Sequence, residues 1–491
     1  MATAQTRQGT VEGSYSNSVH AFKGIPYAAA PFGPRRMRAP EPPPCWDGVR
    51  VCTEFGPTVP KNPYAPPFDR LLPEPAIVGK DCLNLNIWTP DPGHAGLPVL
   101  VWIHGGAFTN GSGAVPQYDG TAFARDGVVC VTINYRLGAD GFLFLNDGVA
   151  NVALLDQIAA LHWVHDNIAN FGGDPARITL AGESAGAMSV ITLLSMPRAA
   201  GLFRRAIAQS GGGQHALTPG TAARAGGYLA EQLGIPPTRE AIAAVPLQQL
   251  LDAQDALGRD LQAAPDPARW AEITANLMVF EPVIDGDILP ALPLDALREG
   301  AGQDVDILIG TNTDEQRFFM VPTGAIDYID DTILQTAADA YGLGANALPA
   351  YRAGRLGASP GDILAAVSGD WFFRIPALRV AEARTQSATW VYEFAWTTPQ
   401  HAGRLGACHY ADVAFAFDTL HSDGAGWLLG PKPPQSLADT MHHTWVSFAS
   451  TGKPGWSRYA PEDRATMVFN THSALARDPH GEQRRLWDGL R

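Results

Sequence analysis

The segment Gly182-Glu-Ser184-Ala-Gly186 sets a serine between two glycines. That spacing suits a sharp strand-to-helix turn that lifts the hydroxyl above a sheet edge, the glycines leaving room for the bend. A serine so placed can attack a carbonyl carbon, provided that a base takes its proton, a carboxylate orients the base and N–H donors hold the oxyanion. A second match, Gly357-Ala-Ser359-Pro-Gly361, fails on context. No strand pattern precedes it, and Pro360 lacks the N–H that the residue after a nucleophile must donate. Ser359 reads as a turn serine and Ser184 as the nucleophile.

The other parts lie up and down the chain. His104-Gly-Gly-Ala-Phe108 directly follows the apolar run Val99-Leu-Val-Trp-Ile103. Adjacent glycines at a strand end let backbone N–H groups turn toward a reacting oxygen, so Gly106, Ala107 and Ala185 are the expected oxyanion donors. Taken alone, the same five residues are an ordinary tight turn with a structural histidine. In α/β-hydrolases the chain order is serine, acid, histidine. Gly310-Thr-Asn-Thr-Asp314-Glu315 closes another apolar run, and either carboxylate could orient a histidine. Of thirteen histidines, His401, His409, His421, His442 and His443 follow within reach. His442 and His443 fall in a helical pattern with Trp445 and Phe448. His409 lies between Thr389-Trp-Val-Tyr-Glu-Phe-Ala395 and the alternating Val413-Ala-Phe-Ala-Phe417, where a base loop could cross the top of a sheet; His401 stands as the alternative.

These residues need elements to carry them. The run 99–103 and Val128-Val-Cys-Val-Thr-Ile133 are short, continuous and apolar, as strands buried on both faces are. Leu154, Ile158, Leu161, Val164 and Ile168 recur at helical spacing, predicting an amphipathic helix over 151–169 that stops before a turn at Gly172-Gly-Asp-Pro175. Further strands are expected at 177–181, 305–309 and 389–395, and a helix at 185–194. Strands alternating with helices predict an α/β fold, a large and mostly parallel central sheet flanked by helices, with its site at the carboxyl ends of the strands. The Pro-rich segment at about 40–75 predicts an irregular loop, whose Tyr64 and Phe68 could line the mouth of a cleft.

Composition narrows the function. The chain has 491 residues, 46% apolar and 17% charged, which excludes a disordered or fibrous protein. Thirty-five Lys and Arg against 49 Asp and Glu leave a net charge of −14, with no basic block for nucleic acid or an anionic membrane. No apolar run approaches the ~18 residues of a membrane span. The N-terminal segment MATAQTRQGTVEG has neither a basic n-region nor an apolar h-region, so a cytoplasmic location is expected. The five cysteines show no CxxC, zinc spacing or disulfide framework, so reduced thiols and no metal are expected. No repeat or linker divides the chain, and a single domain over 1–491 is expected.

Taken in order, these motifs resemble those of the type B carboxylesterases, the family of cholinesterases, mammalian carboxylesterases and bacterial p-nitrobenzyl esterases. The resemblance begins with Ala21-Phe-Lys-Gly-Ile-Pro-Tyr-Ala28 and Arg38-Ala-Pro-Glu-Pro42. It continues through Asp81-Cys-Leu-Asn-Leu-Asn-Ile87, Trp102-Ile-His-Gly-Gly-Ala-Phe108 and Asn134-Tyr-Arg-Leu-Gly138. Leu154-Leu-Asp-Gln157 and Asn167-Ile-Ala-Asn-Phe-Gly-Gly-Asp-Pro175 lead into the serine motif. The resemblance implies an α/β-hydrolase fold in one domain, a deep gorge, no cofactor, a monomer, and hydrolysis of small-molecule carboxylic esters through an acyl-enzyme. Carbamate or amide hydrolysis with the same groups is the alternative, and a non-catalytic binding or adhesion module the third reading. Asn312-Thr-Asp314-Glu315 is similar to the family's N-x-D-E, pointing to Glu315 as the acid. Gly406-Ala-Cys-His409, with Asp412 and Phe415-Ala-Phe417, is similar to its G-x-x-H pattern, pointing to His409. Glu183 is implied as part of a polar floor.

Three departures stand out. Relatives pair the cysteine of D-C-L with one just after F-G-P, but Val59 stands there, so Cys82 is expected to be unpaired. Lys80 replaces a Glu that pairs with the arginine of N-Y-R, so Arg136 is expected to find Asp81 or another carboxylate instead. No Trp lies between Trp46 and Trp88 to hold a quaternary ammonium group, which argues against a cholinesterase.

Overall fold

The computed structural model describes residues 2–93, 96–384 and 386–491. Its strands, in chain order, are β1 (Thr3–Gln5), β2 (Thr10–Glu12), β3 (Ser14–Ser16), β4 (Val19–Pro26), β5 (Val49–Val51), β6 (Asn84–Thr89) and β7 (Leu97–Ile103), then β8 (Val129–Ile133), β9 (Gly173–Glu183), β10 (Arg205–Gln209), β11 (Asp306–Asn312), β12 (Thr389–Phe394), β13 (Ala465–Phe469) and β14 (Ala474–Arg477). β1, β2 and β5 make a small separate sheet. The other eleven form one sheet, ordered β14-β13-β12-β11-β10-β9-β7-β8-β6-β4-β3. From β8 to β13 every neighbour is parallel, and antiparallel strands close both edges.

The alternation of side chains along β7 divides the core in two. Val99, Val101 and Ile103 pack on one face with Leu154 and Ile158 of the helix Val152–Asn167 and with Val190 of the helix Ala185–Ser195. Leu100 and Trp102 pack on the other with Trp445 and Phe448 of the helix Gln435–Thr451. Both faces are therefore apolar, which is why the central strands read as continuous rather than alternating runs.

Several local expectations are corrected. The helix expected at 151–169 spans Val152–Asn167 and is buried on nearly every side, with His162, His165 and Asp166 exposed, so its apolar spacing understates how deeply it sits. A 3-10 turn (Ile168–Phe171) and a left-handed Gly172 end it. Asp174 and Pro175 belong to β9 rather than to a turn. Leu97 pairs with Gly173 but Val99 with Ile178, and this register shift accommodates the proline. The alternating segment at 413–417 is a short helix, Val413–Phe417. All five of its residues are buried, so the alternation marked no exposed face. The Pro-rich segment is mostly irregular but holds β5 and one helical turn, Phe68–Leu71.

Arg136 does find a carboxylate, but not Asp81, which accepts from Arg50 at 2.9 Å. Its guanidinium grips buried Asp156 through Nε at 2.8 Å and Nη2 at 2.6 Å, and its backbone N–H donates to the same carboxylate at 3.1 Å. Lys80 is exposed. All five cysteines are free, Cys82 among them; Cys45 is exposed and the other four are buried.

Candidate active site

Because the central strands run parallel, their carboxyl ends open onto one rim, and the loops leaving β7, β9, β11 and β12 there carry the expected residues. β9 ends at Glu183, and Ser184 follows with φ +55° and ψ −125°, a conformation that costs of order 1–3 kcal/mol and must be held by its surroundings. The helix Ala185–Ser195 starts at once beyond it. Gly186 is required by closeness: a Cβ there would lie 2.0 Å from the Ile103 carbonyl oxygen of β7.

Glu315, three residues past the end of β11, and His409, in the loop after β12, meet directly. His409 Nδ1 lies 2.6 Å from Glu315 Oε2. A carboxylate only accepts, so Nδ1 carries the hydrogen of this contact. The other Glu315 oxygen accepts from Ser210 Oγ at 2.6 Å and from the Asn312 N–H at 2.8 Å. Asp314 is turned away and takes the Ala407 N–H at 3.0 Å. His401 is exposed, and His442 is buried against the Ala416 carbonyl at 2.8 Å. Of the candidate bases the structure brings only His409 to the serine's cavity.

His409 Nε2 lies 3.1 Å from Glu183 Oε1 without the alignment of a hydrogen bond, and among the described residues it makes none to Ser184 Oγ. Burial alone would push the imidazole down. Glu183 and then Glu315 overcome that and hold His409 above the ordinary histidine range. Burial in turn pushes the Glu183 carboxyl up against the pull of His409, with Asp412 and Glu315 adding to the rise. Phe373, Phe319 and Phe318 surround the imidazole, with ring centroids 4.8, 5.3 and 6.1 Å away.

Beyond β7, Gly106, Ala107 and Phe108 have φ of +111°, +51° and +61°, a backbone curl that turns successive N–H groups to one side. Gly106 and Ala107 line the same cavity as Ser184 and His409. Ala185 is fully buried as the first residue of the helix. His104 is structural: it stacks on Tyr135 at 4.5 Å, and burial pushes it down to about 3. The cavity opens to solvent and is walled by Tyr64, Tyr118, Phe318, Phe319 and Tyr410. Tyr64 thus lines the cleft as expected, whereas Phe68 backs it by packing on Phe318 at 5.6 Å.

Sequence reasoning missed Ser210, Gln209 and Tyr392. Gln209 Nε2 and the Tyr392 hydroxyl both donate to Asp412 Oδ2, at 2.8 and 3.0 Å, and Asn312 Nδ2 donates to the Cys408 carbonyl at 2.7 Å. These bonds tie the histidine loop to β10, β11 and β12. A signal was present, since Gln209-Ser210 is a polar pair at the end of an apolar strand, followed by three glycines.

A parallel sheet that carries a serine, a carboxylate and a histidine in that chain order on one rim is an α/β-hydrolase. The profile of the carboxylesterase family matches residues 1–487, and the chain belongs to that family of ester hydrolases. It is 37% identical to a para-nitrobenzyl esterase of Bacillus subtilis, over 98% of this chain and 97% of that protein. It is 35% identical to a phenmedipham hydrolase of Pseudarthrobacter oxydans, over 98% and 99%. The crystal structure of a carboxylesterase from Geobacillus stearothermophilus superposes with a TM-score of 0.87 at 38% identity, covering 99% of each chain. No helix among the described residues is long and apolar enough to cross a membrane.

Proposed function

We propose that the chain hydrolyses uncharged carboxylic esters through an acyl-enzyme on Ser184, with His409 as base, Glu315 as its orienting acid, and the N–H groups of Gly106, Ala107 and Ala185 as oxyanion donors. The observation that carries this reading is the 2.6 Å contact of His409 Nδ1 with Glu315 at the edge of the cavity that Ser184 also lines. In acylation, His409 Nε2 takes the Ser184 proton as Oγ bonds to the carbonyl carbon. The carbonyl oxygen becomes an oxyanion held by the backbone donors, each worth ~2.7–4 kcal/mol to the transition state. The imidazolium then protonates the leaving alkoxide. Water repeats the sequence on the acyl-enzyme and releases the carboxylic acid. The aromatic walls favour apolar acyl or alcohol groups.

The similarity to a phenmedipham hydrolase supports a second reading, carbamate hydrolysis with the same groups. We take the enzyme to act as a monomer forming one domain, on small molecules alone and without nucleic acid, in keeping with its net charge of −14. Its unpaired cysteines fit a reducing compartment such as the cytoplasm.

The test is hydrolysis of p-nitrophenyl acetate, butyrate, octanoate and palmitate by wild type and Ser184→Ala. Loss of about 10⁵-fold or more in kcat is expected in the variant. Retained turnover would name the wrong nucleophile, and an inert wild type that cleaves aryl carbamates would select the second reading.

A further inference from the structure

The curl at Gly106, Ala107 and Phe108 is strained, and two of its three residues carry side chains in the left-handed region. Such backbone persists only where neighbours hold it. What lies against it is the pair Asn110 and Gly111. The N–H groups of Thr109 and Asn110 donate to the Gly106 carbonyl at 3.0 and 2.9 Å. Asn110 and Gly111 also fit so closely that a Cβ on Gly106 would sit 2.4 Å from the Asn110 carbonyl oxygen, and one on Gly111 2.3 Å from that of Gly105.

Asn110 and Gly111 are gripped in turn from the Pro-rich loop. Glu74 Oε1 accepts the Gly111 N–H at 3.1 Å, and Oε2 accepts from Asn110 Nδ2 at 3.2 Å. The same amide nitrogen donates to the Asn62 carbonyl at 2.9 Å. Lys61 Nζ lies 3.2 Å from Glu74 Oε1 and donates to the Pro75 carbonyl at 3.3 Å. The Lys61 and Glu74 side chains are 3% and 9% exposed. Two charges out of water are costly to keep, and a solvated loop would need neither. Cys45, Cys52 and Cys82 are free, so this polar clasp ties the loop to the body where no disulfide does.

We propose that Glu74, with Lys61 as its counter-ion, is a positioning residue for catalysis: through Asn110 and Gly111 it holds the Gly106 and Ala107 N–H groups where the oxyanion forms. This rests on the reading of those two groups as oxyanion donors.

The test compares Lys61→Met/Glu74→Leu, which removes both charges and the acceptor, with Lys61→Met/Glu74→Gln, which restores a neutral acceptor for Gly111. kcat and KM are measured on p-nitrophenyl butyrate, together with affinity for an aliphatic trifluoromethyl ketone. The ketone accepts Ser184 Oγ at its carbonyl carbon, the oxygen becomes an oxyanion and His409 keeps the serine proton. Expected for the Leu variant is a loss of tenfold or more in both kcat and ketone affinity, with KM within threefold, and recovery of most of that loss in the Gln variant. Wild-type kcat and ketone affinity in the Leu variant, or a change confined to KM, would overturn the proposal. So would a Gln variant no better than Leu, which would assign the loss to packing. Should the Leu variant not fold, Glu74→Asp withdraws the carboxylate by one methylene and is judged on the same tenfold loss. A wild type that binds the ketone no more tightly than the corresponding secondary alcohol would instead fail the oxyanion reading itself.

Discussion

His409 Nε2 stands 3.1 Å from Glu183 Oε1, so the imidazole lies between two buried carboxylates, one at each nitrogen. Glu315 settles which nitrogen carries the hydrogen. Glu183, at the other nitrogen, is the residue immediately before Ser184. Under the proposed mechanism, ionised Glu183 would stabilise the imidazolium that forms as Ser184 loses its proton, and it would also keep the resting histidine protonated to higher pH.

That trade sets a pH dependence. In the proposed mechanism only neutral His409 takes the serine proton, and the carboxylates raise its titration, so kcat/KM should climb on the alkaline side of an ordinary histidine. Glu183→Gln removes the charge that raises it most. The acid limb of the kcat/KM profile should then move to lower pH, by about one unit or more, the scale of a charge within hydrogen-bonding reach. An unmoved limb would mean that Glu183 is already neutral in the free enzyme.

The ion pair of Arg136 with Asp156 should dominate the stability of its region. Asp156→Asn leaves a buried guanidinium facing an amide and should cost about 3–5 kcal/mol in denaturant titrations. Lys80→Glu should leave stability unchanged, because Arg136 is already satisfied and Lys80 lies in solvent. A large stabilisation by Lys80→Glu would show that Asp156 does not complete the pairing.

The two serines of the repeated motif should separate cleanly. Ser359 is an exposed N-cap: its hydroxyl accepts from Asp362 N at 3.2 Å, and Asp362 returns a bond to the Ser359 N–H at 3.0 Å. Ser359→Ala should lower stability by about 0.5–2 kcal/mol and leave ester turnover unchanged. Ser184→Ala should do the opposite, keeping the strained turn and the fold while abolishing activity. Loss of turnover in Ser359→Ala with an intact fold would contradict this division.

What could be read from the residues alone follows the physics of each signal. The central strands were legible because both faces are covered, leaving an unbroken apolar run, and the elbow was legible because Gly186 has no space for a Cβ. The choice between Asp314 and Glu315, and between His401 and His409, needed the family resemblance. Loops differ only in where they fold back, and nothing local marks that. The segment at 413–417 misled because alternation carries a face only where one side meets water. Asp156 escaped as the partner of Arg136 because the two are brought together by packing of a helix on a loop, twenty residues apart in the chain. The clasp between Lys61 and Glu74 is invisible for the same reason, being an ordinary Lys and Glu until the loop closes over them.

The cysteines carry a practical consequence. Burial keeps the thiols of Cys52, Cys82, Cys130 and Cys408 up and therefore uncharged, and an uncharged, enclosed sulfur reacts slowly with maleimides or disulfide reagents. Cys45 alone faces solvent. The native enzyme can therefore be coupled to a bead, an electrode or a fluorophore through one defined point, every molecule presented in the same orientation, with no cysteine to be engineered in or out.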